Sequence, residues 1–384
     1  MTDYTRNLSP RNNTFFLFGP RGTGKTTWLQ KEYREGFWLD LLDHELYLAI
    51  IKNPSYLREL LAERPVKWVV IDEIQRAPAL LNEIHYLMNR NKALRFALTG
   101  SSARKLRREG VNLLAGRAEV VRFAPFSFSE VGEDWDLEKA LRFGLLPKSF
   151  VANDDEERTR FLNSYVITYL KEEIQQEAAV KNLDTFARFL EVAAILNGQT
   201  LNIAGVARDA GVARPTVQGY FKVLEDTLVS FLLPAWKTET KVREAAHPKF
   251  YFFDTGVVNA LRGSLREPID PTNKGWLLET LLLHEIRVAA QQLGYDENWG
   301  YWRLPSDKEV DLIWKSHGKT IGVEIKSGPK WRPEYSKSLN ELIGLRKIGA
   351  AYGVYLGKER LKDGAVTVLP VKEFLRTLHA GKLF

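Results

Sequence analysis

Two stretches of the chain carry residue types whose spacing suits chemistry. The first, Gly19-Pro20-Arg21-Gly22-Thr23-Gly24-Lys25-Thr26-Thr27, satisfies G-x-x-x-x-G-K-[ST] after an apolar run and at the start of a helical pattern. Its glycines let backbone N–H groups wrap phosphates, and the helix start adds partial positive charge. Lys25 is expected to reach the β- and γ-phosphates, and the Thr26 hydroxyl to sit on Mg²⁺. The second, EVDLIWKSHGKTIGVEIKS at 309–327, sets Asp311 ahead of Glu324 and Lys326. Two hard oxygen ligands and a cation are what a metal-activated water needs beside a phosphodiester.

A hydrolytic nucleotide site needs acids as well as a loop. In WVVIDE, Asp72 closes an apolar strand, where it would hold Mg²⁺ directly or through water. Glu73 beside it would polarise the water that attacks the γ-phosphate. This pair argues for ATP hydrolysis over phosphoryl transfer to a small molecule, and no Asn-Lys-x-Asp stretch that would read guanine is present. At the end of LTGSS, Thr99, Ser101 or Ser102 would hydrogen-bond the attacking water or the γ-phosphate; a serine that caps the next helix is the plainer alternative. Arg104, Arg107, Arg108 and Arg117 follow. Arg117 is the preferred candidate for an arginine delivered to a neighbouring subunit's γ-phosphate, against the ordinary reading of a solvated charge. ATP and Mg²⁺ are the expected cofactors, and a homo-oligomer the expected assembly.

Elements must hold these residues in place. TFFLF (14–18), KWVVIDE (67–73) and LRFALTGSS (94–102) are short apolar runs without alternation, as in a sheet covered on both faces. KTTWLQKEYREG reads as a helix closed by Gly36. The βαβ rhythm predicts a parallel sheet to about residue 128. The pattern breaks within RFAPFSFSEVGEDWD (122–136), and 138–197 reads as mostly helical. Then LNIAGVARDAGVARPTVQGYFKVLEDTLV gives a helix, a turn at Gly211 and a second helix from about Arg214 to Asp226. Ala207, Ala210, Val217, Tyr220 and Leu224 fall at helical spacings, leaving Arg214, Thr216, Gln218 and Lys222 on or near the exposed face. A DNA reader presents that face to the major groove, with PAWKTETKVRE as a wing on phosphates. A helical lid making subunit contacts would use the same architecture.

Further on, a helix over 275–293 carries Glu279, and EVDLIW and VEIKS read as antiparallel neighbours joined by a polar turn at 316–319. Glu324 and Lys326 then share a face, with Asp311 across from them and Glu279 arriving as a third metal ligand. A helix over 334–345 and the strand AAYGVYLG follow, and KSGPKWRPEY offers basic and aromatic residues to a phosphate backbone. Two plainer readings compete. The spacing arises readily in so charged a chain, and a domain of this layout can keep its fold for binding alone.

A chain of 384 residues implies several cores, and the pattern changes place the units at 1–128, 129–240 and 241–384. Its 55 basic residues exceed its 48 acidic ones, giving a net charge of +7 that favours a polyanionic partner. The absence of cysteine excludes disulfides, Cys-zinc sites and Cys nucleophiles. The six histidines are scattered without paired ligand spacing. MTDYTRNLSPRNNTFF lacks the features of a secretory signal, and no apolar run approaches the ~20 residues of a membrane helix. A cytoplasmic protein without membrane contact is expected.

GPRGTGKTT, VVIDEIQRAP, ALTGSSARKL, LLAGRA and PFSFSEV occur in that order, followed by YFFDTGVVNAL, WLLETLLLHEI, EVDLIW and VEIKS. With this ordered set the chain resembles, over nearly its whole length, a widespread prokaryotic group of AAA-type ATPases with a C-terminal restriction-endonuclease-like domain of unknown function. That C-terminal half resembles the PD-(D/E)xK nuclease superfamily. The resemblance implies a P-loop AAA-type parallel-sheet domain and a C-terminal α/β restriction-endonuclease-like domain, and with the helical and winged-helix middle read from the residues the expected fold class is α/β. The resemblance also implies an ATP-hydrolysing core, and the middle and C-terminal residues add the expectation of an ATPase acting on DNA, recognised by structure rather than by sequence, with a nuclease-like domain that binds or cleaves it. The alternative is a regulatory switch ATPase whose C-terminal domain docks protein partners and cuts nothing.

Overall fold

Five short strands build the N-terminal unit of the computed structural model, which describes residues 4–62, 64–101, 106, 114–169, 182–237, 247–304 and 308–384. They are β1 (Phe15–Phe18), β2 (Phe37–Asp40), β3 (Trp68–Asp72), β4 (Arg95–Gly100) and β5 (Glu119–Arg122). All pairings among them are parallel, in the order β2-β3-β4-β1-β5. The lack of alternation has a direct cause. Phe15 and Leu17 pack with Trp28 and Leu29 on one face, while Phe16 and Phe18 pack with Ile71 and Leu98 on the other. Each such side chain contributes about 1.5–3 kcal/mol on burial. Because β4 lies between β1 and β3, the strand ends at Gly19, Thr99 and Asp72 come side by side.

The middle segment is helical as expected, with helices Leu137–Phe143, Asp155–Ser164 and Leu183–Ile195 and a π-helical turn over Tyr165–Tyr169. Two further helices, Ile203–Asp209 and Arg214–Asp226, flank a turn in which Gly211 takes φ 67°, the region glycine favours. Ala207, Ala210, Val217, Tyr220 and Leu224 are buried, and Arg214, Thr216, Gln218 and Lys222 are exposed. Most of the expected wing, residues 238–244, lies outside the described residues.

One strand changes allegiance. β6 (Ser230–Leu233) pairs antiparallel with β7 (Lys249–Phe252), and the helix Thr255–Leu261 after it packs on Leu137–Phe143. A division at 240 therefore separates paired strands. The middle segment extends through this helix because β7 finds its hydrogen bonds on β6.

The C-terminal sheet contains β8 (Asn298–Arg303), β9 (Glu309–Ser316), β10 (Lys319–Lys326), β11 (Ala350–Tyr355), β12 (Leu361–Asp363) and β13 (Val366–Pro370). Among the described residues its order is β12-β13-β11-β10-β9-β8. β9 pairs antiparallel with β8 and, across the turn at His317-Gly318, with β10, whereas β10, β11 and β13 are parallel. The helix bearing Glu279 spans Pro271–Leu293, beginning before the expected residue 275. The Asp270 side chain accepts the N–H groups of Thr272 and Asn273, and Pro271 suits the first helical position. Middle and C-terminal segments share one apolar core running from Phe126 to Leu383. Among the described residues, no helix is long and apolar enough to cross a membrane.

Candidate functional site

The loop after β1 owes its shape to close approach and to two left-handed glycines. A Cβ on Gly19 would stand 2.0 Å from the Phe123 carbonyl oxygen, and Gly22 and Gly24 take φ 79° and 91°. The helix Lys25–Glu32 starts directly after Gly24. Lys25 is buried, and its Nζ donates to the carbonyl oxygens of Gly19 (2.8 Å) and Pro20 (3.1 Å). Thr23 Oγ1 donates to the Pro20 carbonyl as well, at 2.9 Å.

Two polar chains cross the strand ends beside this loop. In the first, Thr26 Oγ1 donates to Asp72 Oδ2 at 2.7 Å and Thr99 Oγ1 donates to Asp72 Oδ1. Asp72 is only 5% exposed, and each of its carboxylate oxygens accepts from a hydroxyl. In the second, Gln75 Nε2 donates to Glu73 Oε2 and, at 3.4 Å, to Ser101 Oγ. Glu73 takes φ 61°, an uncommon backbone for a residue other than glycine, and its N–H donates to Thr99 Oγ1 at 3.4 Å. Thr26 and Asp72 present hard oxygens to a cleft of about 440 Å³, a donor set that suits Mg²⁺.

Arg117 sits at the other end of this sheet. It precedes β5, where Nη1 lies 2.5 Å from His85 Nε2 and 2.6 Å from Asn89 Oδ1. The phosphate loop follows the opposite end of β1, so Arg117 does not reach the loop of its own chain. Ser102, Arg104, Arg107 and Arg108 lie outside the described residues.

Sequence reasoning missed two supports of the loop. Arg6 donates to the Thr23 carbonyl (2.8 Å), the Ala124 carbonyl (2.6 Å) and Glu130 Oε1 (2.9 Å), and stacks over Phe123. Tyr165, in the π-helical turn, donates its hydroxyl to the Arg21 carbonyl at 2.9 Å. A lone arginine in a polar leader and a tyrosine in a helix give no local signal of such contacts. A cavity of about 160 Å³ bounded by Tyr4, Gly24, Thr27, Phe126 and Pro147 opens beside the first turn of the helix.

In the C-terminal sheet, β9 and β10 are paired so that Leu312 faces Val323, and the same register sets Asp311 opposite Glu324. Asp311 Oδ2 accepts the Ile325 N–H at 2.7 Å. Lys326 Nζ lies 2.5 Å from Glu324 Oε1 and 3.8 Å from Asp311 Oδ2. These three side chains lie together on the sheet.

Glu279 does not join them as a ligand. Its Oε2 accepts the Tyr251 hydroxyl at 2.8 Å and lies 3.6 Å from Lys249 Nζ, both on β7. Lys249 Nζ also lies 2.6 Å from Glu309 Oε1 and 3.9 Å from Asp311 Oδ1. An ammonium group thus occupies the space in which three carboxylates were expected to converge. Among the described residues, no three Asp, Glu, His or Cys side chains are arranged to hold a metal ion.

The electrostatics carry a surplus of acid. Four carboxylates (Glu279, Glu309, Asp311 and Glu324) meet Lys249 and Lys326, with Arg303 reaching Glu309 from the rim at 3.6 Å. Among the described residues, Glu324 Oε2 is buried without a hydrogen-bond partner. Burial, then the charge of Asp311, pushes the Glu324 carboxyl well above its usual range. Burial resists the charge on Lys326, yet Asp311 and Glu324 outweigh it and raise its pKa. By its donors, the Asp311–Glu324 pair fits one hard divalent cation, with Glu324 Oε2 as the unused oxygen.

Burial also pushes Glu279 up to about 7, against the pull of Lys249, with Asp311 adding to the rise. The folded chain therefore binds this proton more tightly than the unfolded chain. Its stabilising contribution is complete below the ordinary Glu pKa of 4.5 and is lost as pH rises through about 7. Urea unfolding of wild type and Glu279→Gln should show the variant gaining on wild type between about pH 5 and about pH 8. A constant difference across that range would contradict the shift.

Residues 11–132 match the model of an AAA domain. Residues 134–267 and 274–374 match two domains of unknown function, DUF8612 and DUF4143. Uncharacterized protein Rv2008c of Mycobacterium tuberculosis and Uncharacterized protein Mb2031c of Mycobacterium bovis are each 30% identical to the chain over 325 residues, spanning 82% of it and 71% of their own length. The chain belongs to their family. Its N-terminal unit is a P-loop AAA domain on a parallel sheet. Among solved structures the likenesses are distant. The replication initiator DnaA bound to AMPPCP and single-stranded DNA is 16% identical, with a TM-score of 0.30 over 56% of this chain and 82% of that one. A STAND ATPase with a tetratricopeptide repeat sensor, PH0952 from Pyrococcus horikoshii, is 14% identical, with a TM-score of 0.24 over 73% of this chain and 45% of its own.

Proposed function

We propose that the protein binds and hydrolyses Mg²⁺·ATP at the loop Gly19–Thr27 and uses the cycle to act on DNA through its C-terminal sheet. The observation that carries the first half is the Thr26–Asp72–Thr99 chain, which fixes a carboxylate and a hydroxyl beside the phosphate loop. On this reading Lys25 exchanges the Gly19 and Pro20 carbonyls for the β- and γ-phosphates, so the loop stores its cation until nucleotide arrives. Backbone N–H groups from Gly22 to Thr27 take the phosphates, and the base lies in the cavity between Tyr4, Thr27 and Phe126. Thr26 and Asp72 would hold Mg²⁺, which supplies charge neutralisation at the phosphates. Glu73, turned by its positive φ and held by Gln75, accepts the proton of the attacking water, with Ser101 behind Gln75. Arg117, remote from its own loop, serves the site of a neighbouring copy in a homo-oligomer.

The DNA half rests on the exposed polar face of Arg214–Asp226 and on the Asp311, Glu324 and Lys326 cluster in a sheet we read as restriction-endonuclease-like. Asp311 and Glu324 would hold a divalent cation that supplies an activated water, and Lys326 would steady charge on the phosphate. The units on this reading are an AAA domain to about residue 128, a helical and winged-helix middle, and the nuclease-like sheet after it. The second reading, a switch ATPase whose C-terminal domain docks a protein, is favoured by Lys249 and Tyr251 holding Glu279 apart.

The test is to incubate wild type and an Asp311→Ala, Glu324→Ala double variant with branched, single- and double-stranded DNA, Mg²⁺ or Mn²⁺, and ATP. Cleavage by wild type alone, and ATP turnover stimulated by DNA and damped by salt, are expected. DNA that is neither cut nor stimulates turnover would leave the docking reading.

A further inference from the structure

A second cavity, of about 80 Å³, lies behind the phosphate loop, where the N-terminal unit meets the helix Pro271–Leu293. A single water needs about 10–15 Å³ on this scale, so there is room for roughly five to eight waters or for one small organic molecule. Its apolar wall comes from Phe123, Leu228, Phe253 and Val288, and its floor from Gly19 and Pro20. A mostly apolar hollow at a domain junction with a few placed polar groups is the usual form of a small-molecule site.

Three guanidinium groups reach this cavity, and their partners differ. Arg6 is paired with Glu130 at 2.9 Å, and Arg122 with Glu297. Gln291 is engaged at both ends by the Arg122 backbone, and His284 Nε2 lies 2.8 Å from the Phe126 carbonyl. Arg287 makes no hydrogen bond and no ion pair among the described residues; its Cζ stands 4.1 Å over the Phe231 ring. That contact is made without a hydrogen bond, so the guanidinium N–H donors have no partner among the described residues. Burial, then the like charge of Arg122, pulls the Arg287 pKa down to about 10, with Glu297 opposing. The cavity therefore holds three cations against two carboxylates, and the uncompensated charge is the one with unused donors.

We propose that this cavity is a binding site for a small anion with an apolar body, a carboxylate or phosphomonoester whose charged end pairs with Arg287. Its class follows from the wall. Bare inorganic phosphate would face Phe123, Leu228, Phe253 and Val288 without partners, whereas an aryl or alkyl group would bury against them. The occupant would press on Gly19 and Pro20, whose carbonyls hold Lys25, and so be coupled to the nucleotide loop.

Calorimetric titration of the full chain with phenyl phosphate, benzoate and inorganic phosphate tests this. Phenyl phosphate or benzoate should bind, and more tightly than inorganic phosphate. Binding should survive in Lys25→Ala, which separates this site from the phosphate loop and keeps its outcome independent of the proposed ATPase activity. Arg287→Gln should weaken it by about ten- to hundredfold, the worth of a charge-assisted hydrogen bond. Val288→Phe, which fills the cavity from its wall, should weaken it likewise and serves if the arginine variant does not fold. Failure of both organic anions to bind, binding lost in Lys25→Ala, or binding unchanged in Arg287→Gln or Val288→Phe would each overturn the proposal.

Discussion

Glu73→Gln is expected to bind ATP as wild type does and to hydrolyse it about 10²–10⁴-fold more slowly, the usual worth of a positioned general base. The substitution keeps the shape of the side chain and an oxygen that can accept from Gln75 Nε2, so the polar chain to Ser101 is preserved. It keeps the backbone too, since glutamine tolerates φ 61° no worse than glutamate. What is lost is the ability to take a proton from water. Asp72 is a poor substitute, because hydroxyls of Thr26 and Thr99 occupy both of its oxygens. Nucleotide binding by fluorescence titration and single-turnover phosphate release separate the two effects. Undiminished release would remove Glu73 from the chemistry, whereas equal losses in binding and release would make it a structural residue.

Lys249→Ala should destabilise the C-terminal half strongly. It leaves Glu279, Glu309 and Asp311 facing one another at a site where Lys249 is only 5% exposed. Removing one partner of a buried ionic group costs about 3–5 kcal/mol, because the opposing charges stay behind without compensation. Burial alone would lower the Lys249 pKa, yet Glu279, Tyr251, Asp311 and Glu309 together raise it well above the usual value. The ammonium is therefore the charge around which this corner is built. Lys249→Met with Glu279→Gln should recover part of the loss, because a carboxylate is then removed along with the cation. Urea unfolding of wild type and both variants measures this, and a loss below about 1 kcal/mol for Lys249→Ala would show that the carboxylates relax into water.

How much of this was legible depended on how local each signal was. The phosphate loop and the Asp72-Glu73 pair could be read because contiguous residues specify both the turn and the strand end that present them. Asp311, Glu324 and Lys326 came together for a similar reason: one tight turn at His317-Gly318 and the two-residue period of β9 and β10 set their register. Lys249 and Tyr251 were out of reach, because β7 is placed by its pairing with β6, a long-range choice that KFYFFD does not encode by itself. The same blindness put the boundary at 240 and made Glu279 a metal ligand. Arg6 and Tyr165 hold the loop through backbone carbonyls, which any sequence supplies. Arg117 could be singled out by type, but only the sheet shows that it stands at the end away from its own loop.

Steady-state ATP hydrolysis by wild type and Lys25→Ala, with Mg²⁺ and over a range of protein concentrations, bears most directly on the central claim. Wild type should turn over ATP, with a specific rate that rises as copies assemble, and Lys25→Ala should fall by about 10²–10³-fold, as when a donor to developing charge is removed. Equal turnover in the two proteins would contradict the assignment of Gly19–Thr27 as the site of hydrolysis.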